Sequence, residues 1–221
     1  MATWASCGEV QTNWRRLIWT ATALIAGLWY PPPARAGFCT AHRTDRENRH
    51  DLQFFAGYSP LSPTLIGTET SRRFVLAGLS YGYRCWTWDS VSISYTAAVM
   101  PASILIQPAQ HLAGVAAHSV YGFAMAPLGF TFDFGWKHRF HPYVESIDGI
   151  IASTEPIPEN QPDATGLNFV LEFGAGVRWN VDRRSAVTIG YKFLHISNAG
   201  TTRFNPGVDN GVICLGYSFL R

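Results

Sequence analysis

Charge is scarce in this sequence: 14% of its 221 residues are Asp, Glu, Lys or Arg, against roughly a quarter in ordinary soluble domains. What charge there is balances. Residues 1–36 carry Arg15, Arg16 and Arg35 against Glu9, so totals of 17 basic and 15 acidic residues leave 14 of each in the remainder. A chain without a basic face has no grip on a phosphate backbone, so nucleic acid is excluded as a partner. No CxxC spacing occurs and the seven histidines are dispersed, so neither a metal centre nor another cofactor is expected. Beyond residue 36 no apolar run is long enough for a transmembrane helix. Disorder is excluded by the 47% apolar content, and the length admits one substantial domain.

The amino terminus reads as an export signal. Arg15 and Arg16 precede an apolar run from Leu17 to Tyr30, followed by three prolines and Ala34-Arg35-Ala36. A basic start, a short apolar core and an A-x-A site predict a signal peptide over 1–36. The mature chain then begins at Gly37 and keeps three cysteines, Cys39, Cys85 and Cys214. An oxidising compartment permits one bridge among them. Cys39 and Cys85 are the pair that a tail over 37–50 and the first short turn would bring together, with Cys214 left as a buried spectator.

From Asp51 onward the dominant signal is alternation with a period of two. In the segment 166–179, Leu167, Phe169, Leu171, Phe173, Ala175, Val177 and Trp179 occupy one face, and Asn168, Glu172, Gly174, Gly176 and Arg178 the other. Weaker versions recur around Val75–Tyr83, Val91–Tyr95, Phe130–Phe134 and Leu215–Phe219. A half-buried strand of a soluble sandwich and a lipid-facing strand of a barrel share this pattern. The second face separates them, because it is repeatedly small or hydroxylic, as the crowded lumen of a narrow barrel requires. Eight strands are predicted, at about 51–58, 72–84, 87–97, 119–134, 140–153, 166–180, 184–198 and 211–220. Connections after strands two, four and six are short, the first around Cys85–Trp86, and those after strands one, three, five and seven are long. The fold class is therefore all-β: an eight-stranded antiparallel transmembrane β-barrel over 51–221, closed by pairing of strands one and eight, since an open edge is untenable in lipid. Lys192 and Glu172 are expected to pair in the lumen, and His138 and His141 to lie on a solvated rim.

Strand seven carries the chemistry. Val187, Ile189, Tyr191, Phe193, His195 and Ser197 share one face. If the first four meet lipid, then His195 and Ser197 continue the outer face to its rim. A serine hydroxyl becomes a nucleophile when a base takes its proton, and a histidine two positions away can do so. Asn198 and Gly200, an amide and a backbone N–H, are candidate oxyanion donors. Asp209, expected just ahead of strand eight and returned by the turn at Asn205-Pro206-Gly207, is the candidate carboxylate to orient the imidazole. An ordinary polar rim would also contain such residues.

The stretch His195-Ile196-Ser197-Asn198-Ala199-Gly200 followed by Asn205-Pro206-Gly207-Val208-Asp209 resembles the PagL-type lipid A 3-O-deacylases, eight-stranded outer-membrane barrels with an external active site. The resemblance implies His195 as base, Ser197 as nucleophile, Asn198 and Gly200 at the oxyanion, lipid A of lipopolysaccharide as substrate among outer-membrane lipids, and an active site facing the outer leaflet. It also allows a homodimer. The family's acid is usually a glutamate twelve residues after the serine. Aspartate stands there in this chain, so Asp209→Glu is expected to retain or raise activity. A non-catalytic small barrel and an outer-membrane phospholipid esterase are the alternatives.

Overall fold

The computed structural model describes residues 49–109, 116–158, 161 and 163–221. Eight strands follow in order: β1 His50–Ser59, β2 Arg73–Thr87, β3 Val91–Gln107, β4 His118–Phe134, β5 Phe140–Ile157, β6 Thr165–Asn180, β7 Ser185–Ser197 and β8 Val208–Leu220. Each pairs antiparallel with the next, and β1 pairs with β8, so the sheet closes into a barrel. The signal peptide expected over 1–36, the tail to residue 48 and Cys39 lie outside the described residues. Cys85 is disulfide-bonded, while Cys214 is a buried free thiol.

Connections alternate as expected: 88–90, 135–139 and 181–184 at one end, and 60–72, 108–117, 158–164 and 198–207 at the other. Several boundaries depart from expectation, among them the start of β3 and the end of β5, each by four residues, and three cases are instructive. The first short turn lies past Cys85–Trp86, which belong to β2; it is closed where Trp88 N–H donates to Val91 O at 2.8 Å. β3 runs ten residues beyond its expected end. Pro101 faces outward within a register shift between Met100 and Ser103, where a missing N–H is tolerated. Pro127 of β4 is accommodated by a similar irregularity between Met125 and Leu128. The third departure bears on function. β8 begins at Val208, so Asp209 is a strand residue and not part of the preceding loop.

The lumen has two characters. Near the long connections it is a dry plug built on Phe74, Leu76, Met100, Leu105, Val120, Ile151, Leu194, Ile196 and Val212, more apolar than the small-residue pattern suggested. Below it the contents are ionic. Lys192 lies 3.0 Å from Glu145 and 3.3 Å from Glu172, which adds a second carboxylate to the expected pair. Arg178 sits 2.8 Å from Asp51. His141 is buried 3.3 Å from Asp133, not on the solvated rim expected of it, because alternation along β5 turns it inward. His138 is exposed.

The exterior is the inverse of a soluble protein's surface. Phe54, Leu167, Phe169, Phe173, Ile189, Tyr191, Ile213, Leu215 and Phe219 are all exposed, an apolar area far beyond what soluble monomers present. One carboxylate interrupts this wall: Asp148 of β5, exposed and flanked by Leu128 of β4 and Leu171 of β6.

Candidate active site

Orientation is decided by the alternation along β7. Ile189 and Tyr191 are 56% and 53% exposed on the outer wall, whereas Thr188, Lys192, Leu194 and Ile196 are buried on the inner one. His195 and Ser197 continue the series of Ile189 and Tyr191, so their side chains leave the strand on the exterior. They are nevertheless only 9% and 6% exposed, because long connections pack over this end. Gly207 is part of that cover: a Cβ there would lie 2.5 Å from His195 Cε1, so only a residue without one fits against the ring.

Asp209 stands opposite His195 in the β7–β8 ladder. Two residues in such register on the same face of neighbouring strands are close enough for their side chains to meet, and here Asp209 Oδ1 accepts from His195 Nδ1 at 2.6 Å. The other carboxylate oxygen, Oδ2, accepts from three successive backbone N–H groups of the β1–β2 connection, Leu65 at 2.8 Å, Ile66 at 2.7 Å and Gly67 at 2.9 Å. With the imidazole that makes four donors on one fully buried group, a set that an ionised carboxylate accepts in full. The arrangement fixes the proton on His195 Nδ1 and leaves Nε2 as the acceptor nitrogen.

No hydrogen bond joins the Ser197 hydroxyl to His195. Positions two apart on a strand are about 6.6 Å apart along its axis, so contact depends on both rotamers, and such bonds commonly tighten only when substrate is present.

Asn198 and Gly200 are engaged with one another and with their surroundings. The Asn198 amide nitrogen donates to Thr202 Oγ1 at 2.7 Å and Phe204 O at 2.8 Å, and its Oδ1 accepts from Gly200 N–H at 2.8 Å. Ala199 and Gly200 both take positive φ, 52° and 77°, and Thr201 N–H returns to Asn198 O at 3.1 Å. This is the pattern of a tight turn with two left-handed central residues, and it reverses the chain directly after Ser197. Asn198 is thus the brace of the β7–β8 connection in this state. In the same connection, Asn205 is exposed, and its amide makes no hydrogen bond among the described residues. Sequence reasoning treated Asn205 as a turn residue; the signal was only that a second amide lies two residues before Gly207.

Neighbouring connections lock onto this one. Asp163 O accepts from Thr202 Oγ1 at 2.9 Å, Gln161 Nε2 donates to Glu69 Oε1 at 2.5 Å, and Thr68 N–H donates to Gly207 O at 3.0 Å. An open pocket lies between them, lined by Thr68, Gln161, Phe204, Asn205 and Pro206. Along the wall beside the pair, Leu171 stands opposite His195 and Phe169 opposite Ser197 on β6.

The family model described as lipid A 3-O-deacylase (PagL) matches residues 75–218, about two thirds of the chain. No curated protein matches it by sequence. Among solved structures, the outer membrane enzyme PagL is similar with a TM-score of 0.54 and 19% identity, over 76% of this chain and 97% of that one. Neisserial surface protein A follows with a TM-score of 0.47 and 12% identity, covering 77% and 96%. The N-terminal β-barrel domain of Pseudomonas aeruginosa OprF has a TM-score of 0.46 and 15% identity, covering 79% and 98%. The likeness to the outer membrane enzyme PagL speaks to the fold; the match of the family model goes further, and by it the chain belongs to the lipid A 3-O-deacylase (PagL) family.

Proposed function

We propose that this protein is a serine esterase of the outer membrane that hydrolyses the 3-O-linked acyl chain of lipid A in the outer leaflet. The observation that carries the reading is the buried His195–Asp209 pair, placed on the exterior face of the barrel with Ser197 two positions along the same strand. Purely structural pairs have little reason to sit on an apolar wall. A hydrolytic site for a lipid has every reason to do so, since its substrate already lies against that wall.

In this reading His195 Nε2 takes the Ser197 proton as Oγ attacks the ester carbonyl. The tetrahedral intermediate collapses when His195 returns that proton to the departing 3-oxygen of the sugar, leaving the acyl group on Ser197. Water, deprotonated by His195, then attacks the acyl-enzyme, and His195 returns that proton to Ser197 Oγ as the acyl–oxygen bond breaks and the fatty acid leaves. Asp209 holds the imidazole and stabilises its cationic form throughout. For the oxyanion, the Asn205 amide is the side-chain donor this arrangement leaves unengaged, whereas Asn198 and Gly200 serve only after releasing the bonds within their turn. The acyl chains lie along the exposed Phe169, Leu171, Ile213 and Leu215. The scheme uses no metal or cofactor.

The deciding experiment is mass spectrometry of lipids extracted from a susceptible outer membrane expressing the wild type or Ser197→Ala. Loss of one 3-hydroxyacyl unit from lipid A with the wild type alone supports the reading. Free lysophospholipid without that loss would make it a phospholipid esterase. An unchanged lipid profile would make it a non-catalytic barrel.

A further inference from the structure

We propose that the β1–β2 connection is a positioning element of this active site: its backbone N–H groups at Leu65, Ile66 and Gly67 hold the Asp209 carboxylate in the orientation that serves His195. The inference rests on the esterase reading above and adds to it a segment more than 140 residues away in the chain from Asp209.

Three features carry it. The first is the geometry itself. Three consecutive N–H groups converge on Oδ2 at 2.7–2.9 Å, which leaves Oδ1 to His195 alone. An aspartate has one torsion fewer than a glutamate, and fixing one oxygen fixes where the other points. The second is the approach. A Cβ on Gly67 would fall 2.5 Å from Gly207 O and 3.0 Å from Asp209 Oδ1, and one on Gly207 would fall 3.2 Å from Gly67 Cα. Two facing glycines therefore let the connection come within hydrogen-bond range of the carboxylate while its neighbour packs on the imidazole. The third is rigidity. Arg72, 2% exposed, donates to Glu69 Oε2 at 2.8 Å, to Gln107 Oε1 at 2.9 Å and to Thr70 O at 3.1 Å. Glu69 bridges to Val208, the residue before Asp209. Fold alone does not need this set, because Leu65 and Ile66 turn their apolar side chains outward, 76% and 57% exposed, and only their backbone faces the site.

The test separates backbone from side chain. Ile66→Ala keeps the N–H and Ile66→Pro removes it. Folded protein, judged by resistance of the barrel to unfolding in detergent, is assayed for deacylation. Ile66→Ala is expected within twofold of wild type. Ile66→Pro is expected to lower kcat at least tenfold with KM changed less than twofold, and Leu65→Pro to act likewise should Ile66→Pro not fold. In an Asp209→Ala background, Ile66→Pro is expected to change the residual rate by less than twofold, because the connection acts through the carboxylate; a merely structural role would lower both backgrounds alike. As an independent readout, the low-field proton of the His195–Asp209 bond in NMR spectra is expected to shift or broaden in Ile66→Pro and to be unaltered in Ile66→Ala. Wild-type kcat and an unchanged resonance in the proline variants, with Asp209→Ala impaired, would overturn this inference and leave the esterase reading standing. Full activity in Asp209→Ala would remove both.

Discussion

Asp209 and His195 face one another across the β7–β8 ladder with 2.6 Å between Oδ1 and Nδ1, and the other oxygen of Asp209 is held by the β1–β2 connection. On the acid side this reverses the expectation drawn from the motif. Asp209 is fully buried and already meets His195 and three backbone N–H groups at hydrogen-bond length, so an added methylene must displace one of these partners. Asp209→Ala is expected to lower kcat about a thousandfold or more. Asp209→Glu is expected to lose activity about a hundredfold, as a misplacement near 1 Å does. Steady-state deacylation of a purified lipid substrate checks both, and wild-type rates for Asp209→Glu would show that the site relaxes around the longer acid.

The two amides of the β7–β8 connection are expected to fail in different ways. Asn205→Ala removes an exposed side chain with no hydrogen-bond partner among the described residues, so kcat is expected to fall about a hundredfold or more, as for loss of an oxyanion donor, while the unfolding midpoint stays put. Asn198→Ala breaks the bonds to Thr202, Phe204 and Gly200, so it lowers stability together with activity. Comparing denaturation midpoints with rates separates the roles. An Asn205→Ala enzyme as fast as wild type would return the oxyanion to Asn198 and Gly200.

Inside the barrel, Lys192 contacts both Glu145 and Glu172. Lys192→Met leaves two buried carboxylates facing each other and is expected to destabilise the barrel by about 3–5 kcal/mol. Equilibrium unfolding in urea with lipid vesicles gives the value. A loss below about 1 kcal/mol would mean that the lumen admits enough water to replace the lysine.

Asp148 offers a check on lipid placement. A carboxylate on the lipid-facing wall opposes burial in hydrocarbon, so Asp148→Leu is expected to stabilise the protein in bilayers by about 1–2 kcal/mol. The same urea titration measures it. No gain in a bilayer would argue that this part of the wall is not immersed.

How much of this was legible beforehand depended on which forces write themselves into side chains. The alternation over Leu167–Trp179 announced β6 nearly to the residue, because a wall with lipid on one side and lumen on the other imposes a period of two. The alternation of β7 likewise put His195 and Ser197 on one face, and Asp209 was expected beside the end of that strand, where it does meet His195. The far half of β3 was not legible, since its ladder passes Pro101 only through a register shift. The upper lumen misled, because Leu194 and Ile196 can fill a plug as readily as they can face lipid. The hold on Asp209 had no side-chain signal at all: backbone N–H groups are the same at every residue except proline, and only Gly67 and Gly207 hinted that two segments come unusually close. The role of Asn198 was hidden for a related reason, as an amide that braces a turn and one that receives an oxyanion look identical in a motif.

Closure of the sheet at the β1–β8 seam orders events in time. His195 comes from the seventh strand, Asp209 from the eighth, and the segment that holds the carboxylate from the first hairpin. No partly assembled chain contains all three in place, so a barrel still threading into its membrane is an inert one. Under the proposed function, ester-cleaving power would arrive only with the last seam, and the protein would travel through the envelope harmless until it is finished.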